Sequence, residues 1–318
     1  MIQLIFWRLR QITNEEGEIT TKVRLLAEDS KIPNLAIMKI SSYHKAQGDD
    51  VAWYDPMFDM YDTDIFYESK VFTFSPQYRY YPVNAKIIRG GTGIDVKGKL
   101  PPDIESITKP DYSLYPDCDY SIQFMSRGCI RKCPFCVVPA KEGVIHPVEP
   151  LELNPKGKWI MLLDNNFFAC PQWRTNIDIL KSYKQPISFT QGLDLRIMTD
   201  EMAQALSTVK IKQVYVAWDN HEDKDIVLHG LDILLKYIKP YKITCYCLVG
   251  FKQPYIVPED LERIYTLRDL KVNPFAMGYI DFDNPAYKKT QEIKDFCRWV
   301  NMKAAFKSCT WEEYKKCM

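Results

Sequence analysis

Residues 213–251 read QVYVAWDNHEDKDIVLHGLDILLKYIKPYKITCYCLVGF and decide the fold of the larger part of the chain. QVYVAWD (213–219) and ITCYCLVGF (243–251) are near-continuous apolar runs, as expected of strands buried on both faces. Between them, apolar residues recur at helical spacing: Ile226, Leu231, Leu234 and Ile238. A strand, a helix and a second strand in this order predict a parallel crossover unit.

The same alternation extends in both directions from this unit. Further strands are predicted at 120–126, 158–167, 187–195 and 273–281, each separated from the next by a segment with a helical or loop pattern. Six strands with intervening helices predict an α/β fold of the partial (β/α)6, TIM-like barrel type. An open doubly wound sheet is the alternative.

The first hundred residues show a weaker α/β pattern. We expect a helix at 33–48 and strands at 50–55, 64–74 and 84–95, which fits a small Rossmann-like domain. A segment with four prolines follows it and is predicted to be a linker. The predicted domains are therefore residues 1–97, a linker at 98–119, the barrel at 120–302 and a C-terminal extension at 303–318.

Composition limits the class of protein. The 318 residues are 46 % hydrophobic, which is enough for a sizeable core, and 42 basic residues against 41 acidic ones give a net charge of +1. This balance gives no general reason to expect a nucleic-acid or membrane partner, although a local basic patch would suffice for nucleic acid. No secretory signal or membrane-spanning run is recognisable, so a cytoplasmic location is expected. Ten cysteines in a reducing compartment indicate metal binding or free thiols.

Three of those cysteines lie in SRGCIRKCPFC (126–136), spaced C-x3-C-x2-C directly after a predicted strand. A structural zinc site would need a fourth ligand, and the next candidate, His146, is ten residues further on. An iron–sulfur cluster instead takes Cys129, Cys133 and Cys136 on separate irons and leaves one iron open. Arg127, Arg131 and Lys132 are expected to lower the pKa values of the thiols. The remaining cysteines show no metal spacing, and an auxiliary cluster stays an open alternative.

The cysteine motif at the end of the first barrel strand resembles the signature of the radical S-adenosylmethionine enzymes. The resemblance implies a [4Fe–4S] cluster on Cys129, Cys133 and Cys136 that reductively cleaves S-adenosylmethionine to a 5′-deoxyadenosyl radical. It also implies an electron donor such as flavodoxin or ferredoxin. The substrate and the reaction subclass are not indicated.

The resemblance further implies which residues contact S-adenosylmethionine. Phe135 is expected near the adenine, or else it only caps the barrel mouth. The polar end of the second strand is expected to meet the methionine amino group, or else to cap the following loop: Asp164, Asn165 and Asn166. At the end of the third strand, the candidates for contact with the ribose hydroxyls and the methionine carboxylate are Gln191, Asp194 and Arg196. Alternatively, Asp194 and Arg196 form an ion pair that only braces the strand end. Asp219 closes the fourth strand and is a candidate for contact with the ribose or the substrate. Val249 closes the fifth strand and is a candidate for contact with the adenine.

The order of a small α/β domain, a linker and a barrel resembles the members of the family that carry an N-terminal cobalamin-binding domain. The Asp-x-His-x-x-Gly motif that supplies a histidine to cobalt is absent, because His44 is followed by Lys45, Ala46 and Gln47. Bound cobalamin therefore stays an alternative to a structural or substrate-binding module. The C-terminal FKSCTWEEYKKCM (306–318) is predicted to be a helical solvated tail, although it is also compatible with contacts to RNA or protein.

The sequence as a whole predicts a radical S-adenosylmethionine enzyme with an unknown substrate. A cobalamin-dependent radical methyltransferase is the rival within enzymes. A non-catalytic metal-binding module is the rival from another class.

Overall fold

The computed structural model describes residues 12–13, 19–30, 32–281, 284 and 286–317. The chain divides into two compact units. The first comprises Met1–Cys118 with Leu151–Asn154, and the second comprises Asp119–Pro150 with Pro155–Met318. The domain boundaries derived from the sequence stay predictions.

A four-stranded parallel sheet forms the centre of the first unit. A short antiparallel pair precedes it, β1 (Ile12–Thr13) with β2 (Ile19–Thr20). The strands of the sheet are β3 (Lys22–Ala27), β4 (Asp50–Trp53), β5 (Ile65–Ser69) and β6 (Lys86–Gly90), in the order β4-β3-β5-β6. The helices of this unit are α1 (Leu35–Ala46), α2 (Pro56–Asp59) and α3 (Pro102–Glu105). The sequence predicted helix α1 and strands β4, β5 and β6, but it did not predict strands β1, β2 and β3 or the two short helices.

Helix α1 packs on this sheet and begins at an N-cap. The side chain of Asn34 accepts a hydrogen bond from the Ile37 N–H, which satisfies one of the free donors of the first turn. Ile37 lies in the core of the unit with Val23 and Leu25. Ile104 and Leu114, from the proline-rich segment, are buried in the same core.

The second unit is built on six parallel strands. They are β7 (Tyr120–Gln123), β10 (Trp159–Leu162), β11 (Ile187–Leu193), β12 (Ile211–Ala217), β13 (Ile243–Val249) and β14 (Asn273–Gly278). Neighbours in the chain are neighbours in the sheet, in the order β14-β13-β12-β11-β10-β7, and every pair is parallel. The coarse prediction of an α/β fold with parallel strands is thereby confirmed.

Helices connect these strands or follow the last of them. They are α4 (Val138–Lys141), α5 (Trp173–Ser182), α6 (Asp200–Ser207), α7 (Lys224–Leu235), α8 (Pro258–Asp269), α9 (Gln291–Asn301), α10 (Lys303–Ser308) and α11 (Trp311–Lys316). Two short strands, β8 (Ser126–Arg127) and β9 (His146–Pro147), form an antiparallel pair beside the sheet.

The two faces of the six-stranded sheet differ in burial. Val216 and Cys245, which are register partners in β12 and β13, are fully buried. Their neighbours Tyr215 and Tyr246 alternate with them and are only half-buried, so they face the opposite side. Because parallel sheets normally bury both faces, this half-open face is a place for a ligand.

The C-terminal residues are helical as predicted, but Phe306 and Trp311 are buried in the second unit's core, so the prediction that this tail is solvated was wrong for these two side chains. Trp311 is 1 % exposed and packs edge-on against Phe296, at 5.2 Å between ring centroids. Trp299 lies against the same indole at 5.7 Å. Burial of a large aromatic surface outweighs the charged residues around it, which keep their head groups in water.

Within the described residues, the helices are all too short or too polar to span a bilayer.

Candidate functional site

The cysteine motif follows β7 and begins in the β8–β9 pair. Gly128 has a φ of 82°, and its N–H donates to Glu142 Oε2 at 3.0 Å. The Arg127 guanidinium donates to the other oxygen of Glu142 at 2.8 Å. The backbone N–H of Cys129 donates to the Gly143 carbonyl at 3.2 Å. These contacts fix the entry of the loop that carries the three thiols.

The thiols are not surrounded by the cations that flank them in sequence. Arg127 is bound to Glu142, and Arg131 donates to Asp194 Oδ2 at 2.8 Å. Burial raises the pKa of Cys133, and the cation that opposes this effect is Arg196 from the end of β11. Burial also raises the pKa of Cys136. The expectation that neighbouring cations lower the thiol pKa values was therefore wrong for these two residues.

Cys129 is the thiol with the most defined hydrogen bonds. Its sulfur accepts from the backbone N–H of Arg131 at 3.3 Å and from Asn166 Nδ2 at 3.6 Å. In the ranges that the structure describes, no three His, Cys, Asp or Glu side chains are grouped so that they could hold a metal ion as they stand. The three thiols lie on one loop, and each receives a backbone or amide N–H or a guanidinium group, so they form a donor set that suits an iron–sulfur cluster.

The polar residues after β10 point in three different directions. Asp164 accepts from the Met125 N–H at 2.9 Å and from Ser126 Oγ at 2.5 Å, so it ties this strand end to the start of the cysteine segment. Burial raises the pKa of Asp164 to about 6, although these hydrogen bonds oppose the shift. Asn165 donates to Glu142 Oε2 at 2.6 Å.

Asn166 lies at the centre of the site and is 2 % exposed. Its Nδ2 donates to Cys129 Sγ and also lies 3.4 Å from Asp194 Oδ2. Its Oδ1 is buried and has no hydrogen-bond partner among the described residues. A buried amide oxygen without a donor is uncommon in folded proteins, because its desolvation is not compensated. This atom therefore marks a position for a donor group of a ligand.

The end of β11 carries a network of charges. Asp194 Oδ1 accepts from Arg196 Nε at 2.8 Å, and Arg131 binds its other oxygen. Burial opposes ionisation, but the two guanidinium groups hold the pKa of Asp194 below its usual value. Arg196 also donates to Asp223 Oδ2 at 3.1 Å. Gln191 is exposed and lies outside this network, at the edge of a cavity.

The ends of β12 and β13 are joined by Asp219. Its Oδ1 accepts from the Leu248 N–H at 3.1 Å, and burial raises the pKa of its carboxyl group. Val249 is buried. Phe135, from the cysteine loop, packs edge-on against Phe251 at 5.3 Å.

Comparisons with known proteins give similarities in sequence and in fold. No family model matches the chain. It is 28 % identical over 181 residues to a "Ribosomal protein uS12 methylthiotransferase RimO" of Psychrobacter arcticus, and equally to that of Psychrobacter cryohalolentis. Each match covers 53 % of this chain, which spans about a third of the length of these curated relatives.

A solved structure has a similar fold. It is described as the radical S-adenosylmethionine methyltransferase TsrM from Kitasatospora setae, with cobalamin and a [4Fe–4S] cluster bound. The TM-score is 0.59 at 11 % identity, over 82 % of this chain and 75 % of that one. The chain is thus similar in sequence to two methylthiotransferases and in fold to a radical S-adenosylmethionine methyltransferase.

The structure brings together part of the set of site residues predicted from the sequence. Cys129, Asn166, Asp194 and Arg196 form one connected network that extends to Cys133. Asp164 and Asn165 brace the cysteine segment, while Gln191 and Val249 lie outside the network. The roles of all these residues in binding S-adenosylmethionine stay predictions.

Sequence reasoning missed Arg263, which organises two strand ends of the site. This residue of α8 is buried, and its Nη1 donates to the carbonyls of Trp218 at 2.6 Å and Asp219 at 2.9 Å. Its Nη2 donates to the Leu248 carbonyl at 2.8 Å and to Asp260 Oδ1 at 2.5 Å. The feature of the sequence that could have indicated Arg263 is Asp260, three residues earlier, because an Asp and an Arg at this spacing can pair on one face of a helix.

Proposed function

We propose that the chain is a radical S-adenosylmethionine enzyme whose cluster is held by Cys129, Cys133 and Cys136. A bound [4Fe–4S] cluster would supply the electron that cleaves S-adenosylmethionine. The single observation that carries this proposal is the network that joins Cys129 through Asn166 and Asp194 to Arg196. It gathers a thiol, an amide, a carboxylate and a guanidinium at the carboxyl ends of neighbouring parallel strands, where β/α folds place their chemistry.

The residues of this network have chemistry that suits the ligand. The free Oδ1 of Asn166 would accept a hydrogen bond from the methionine ammonium group. Arg196 would bind the methionine carboxylate, since a guanidinium can make two parallel hydrogen bonds to it. Asp219 and Gln191 would bind hydroxyl groups. Phe135 and Val249 would pack against the adenine.

We also propose the finer architecture. The six-stranded sheet runs in chain order without the reversal that a doubly wound sheet requires, which supports a partial (β/α)6 barrel. In the first unit the order β4-β3-β5-β6 does reverse at its first strand, as in Rossmann-like and flavodoxin-like domains.

One observation favours a cobalamin-dependent methyltransferase as the second candidate. Large apolar side chains follow strands of the first unit at their carboxyl ends and stay exposed: Met57 at 85 %, Phe58 at 81 %, Phe72 and Phe74. A large ligand could cover them. His44 would not coordinate its cobalt, because Asp49 and Tyr67 hold the two ring nitrogens at 2.6 and 3.0 Å. Retention of a cobalamin spectrum after incubation and desalting would support this candidate.

Anaerobic reconstitution with iron and sulfide tests the main proposal. We expect a broad visible charge-transfer absorption, its loss in Cys133→Ser, and 5′-deoxyadenosine after reduction in the presence of S-adenosylmethionine. A colourless protein that retains stoichiometric zinc would instead support a non-catalytic metal-binding module. Reduction requires an electron donor such as flavodoxin or ferredoxin, and a cytoplasmic location stays a prediction.

A further inference from the structure

The half-open face of the six-stranded sheet contains a cavity of about 630 Å³. Its floor is aromatic. Tyr215 and Tyr246 stack at 5.1 Å between centroids with 22° between their planes, and Phe275 packs edge-on against Tyr246 at 5.7 Å. The Tyr246 hydroxyl donates to the Thr190 carbonyl at 2.9 Å, which fixes the ring. The cavity therefore has rigid aromatic side chains in its lining, and its volume lies in the range of small-molecule binding sites.

A second cavity, of about 470 Å³, continues this one along the edge strand β14. Phe275, Met277 and Asn301 line both cavities. Phe275 and Met277 are each 40 % exposed, so apolar surface runs along the open side of the sheet. The shared lining makes the two cavities one groove.

The groove is basic. Lys289 and Lys294 line its outer part and Lys303 its inner part, and no acidic residue lines either cavity. Within the described ranges, none of the three ammonium groups is paired with a carboxylate. Three unpaired cations beside a stacking platform give the groove the two features by which proteins bind single-stranded nucleic acids: positive charge along the backbone and aromatic rings for the bases.

A peptide fits the groove less well. A peptide would gain most by adding a strand to the free edge of β14. The side chain of Asn301 already occupies that edge, because its Oδ1 accepts from the Ala276 N–H at 2.9 Å and its Nδ2 donates to the Ala276 carbonyl at 3.0 Å. Pro274 in the same strand has no N–H to offer.

We propose that this groove binds a nucleotide substrate, with a base stacked on the exposed ring of Phe275, beside the Tyr215–Tyr246 stack, and phosphates near Lys289, Lys294 and Lys303. The inference rests on the proposed function, because it names the substrate class for the same barrel. The inner cavity includes Gln191 of β11, and the same strand leads to Asp194 and the thiol network.

Fluorescence anisotropy with a labelled single-stranded RNA of about 12 nucleotides tests the proposal on the reconstituted holoenzyme. The triple variant Lys289→Ala/Lys294→Ala/Lys303→Ala should bind more weakly and reduce the slope of log K against log salt by about 2, since each lost contact removes about 0.7. Phe275→Leu should weaken binding about 5- to 150-fold and leave the salt slope unchanged. Phe275 is partly exposed, so the substitution is compatible with folding.

A matched control removes the same charge elsewhere: Lys181→Ala/Lys184→Ala/Lys239→Ala should bind like the wild type. Competition by uridine monophosphate distinguishes two kinds of nucleotide substrate. If the substrate is a free nucleotide, uridine monophosphate should displace the RNA at a similar affinity; if it is a strand, uridine monophosphate should not displace the RNA. Either result supports the proposal. An equal loss in both triple variants, no RNA binding, or binding of polyglutamate with the same dependence on Phe275 would overturn it. The same preparation is assayed for 5′-deoxyadenosine without RNA, so a failure here is distinguishable from a failure of the radical S-adenosylmethionine assignment.

Discussion

Gly128, which precedes the first motif cysteine, should accept no side chain. Its φ of 82° is left-handed, and a Cβ at this position would lie 2.4 Å from the Val144 carbonyl oxygen. Gly143, on the facing segment, has a φ of 74°, but a Cβ there would meet nothing within 4 Å. Comparison of Gly128→Ala with Gly143→Ala therefore separates steric overlap from backbone strain in one loop.

The expected magnitudes follow from this difference. A left-handed alanine costs about 1–2 kcal/mol, and the lower entropy of the unfolded chain returns about 0.4–1 kcal/mol, so Gly143→Ala should cost about 1 kcal/mol. Gly128→Ala must in addition move the Val144 backbone from 2.4 Å to at least 3.0 Å. That movement weakens the hydrogen bond from the Cys129 N–H to the Gly143 carbonyl. One weakened hydrogen bond and a forced backbone shift bring the expected cost of Gly128→Ala to about 3–5 kcal/mol.

Urea unfolding followed by tryptophan fluorescence measures both variants, with the change in midpoint multiplied by a common m-value. Iron content after reconstitution gives a second readout, and we expect it to fall in Gly128→Ala and to stay at the wild-type level in Gly143→Ala. Equal destabilisation of the two variants would refute the packing argument, because it would leave only the strain that both glycines share.

Three further predictions concern residues of the site. Arg263→Met should lower the free energy of unfolding by about 3–5 kcal/mol in the same urea assay, because it leaves a buried carboxylate and three strand-end carbonyls without their donor. Asp164 has a pKa raised to about 6, so the stability that its protonated form contributes is present below its unfolded pKa and lost as the pH rises through about 6. Relative to Asp164→Asn, the wild type should lose about 2 kcal/mol of its free energy of unfolding between pH 4 and 7. A difference between the two proteins that stays constant over this pH range would contradict the prediction. Asn166→Leu should lower the midpoint potential of the reconstituted cluster, measured by titration with electron paramagnetic resonance, because it removes the N–H donor to the Cys129 sulfur. Asn165→Leu, whose amide touches no thiol, should leave the potential unchanged.

The strands of the second unit were predictable because each is buried on at least one face and bounded by polar turns. ISFTQGLDL was predicted at 187–195, and the strand is Ile187–Leu193. The strand Lys22–Ala27 of the first unit was missed, because its lysine and arginine interrupt the apolar pattern. Arg24 is nevertheless buried, since Asp50 and Asp59 bind its guanidinium. Propensity cannot anticipate a charge that is neutralised by residues distant in sequence.

The cysteine motif was recognisable from spacing alone, but its electrostatics was not. Arg131 stands between two thiols in the sequence, and its side chain turns to Asp194, 63 residues away. Arg196 takes its place near Cys133. Sequence neighbours on a loop point in different directions, so adjacency along the chain does not place a charge next to a thiol.

The polar triplet after β10 shows the same limit at shorter range. Asp164, Asn165 and Asn166 are consecutive, and the sequence analysis predicted all three as candidates for contact with the ammonium group of the ligand. In the fold Asp164 turns to Ser126 and Asn165 to Glu142, so only Asn166 keeps an unsatisfied atom. The three residues differ in the partner that each side chain binds in the fold, and the partners of Asp164 and Asn165 lie 38 and 23 residues away in the sequence.

The prior pairing of Arg196 limits how it can bind a methionine carboxylate. Asp194 and Asp223 already accept hydrogen bonds from its guanidinium, at 2.8 and 3.1 Å. The free energy gained when a carboxylate ligand binds is therefore only the difference between its ion pair with Arg196 and the Arg196–Asp194 pair that it displaces. The gain is larger if Asp194 keeps another cationic partner. Arg131 is that partner, because it binds the second oxygen of Asp194 independently. If Arg196 binds the ligand as proposed, Arg131 of the cysteine loop would supply the charge that frees it, which would couple ligand binding on β11 to the position of Cys129 and Cys133.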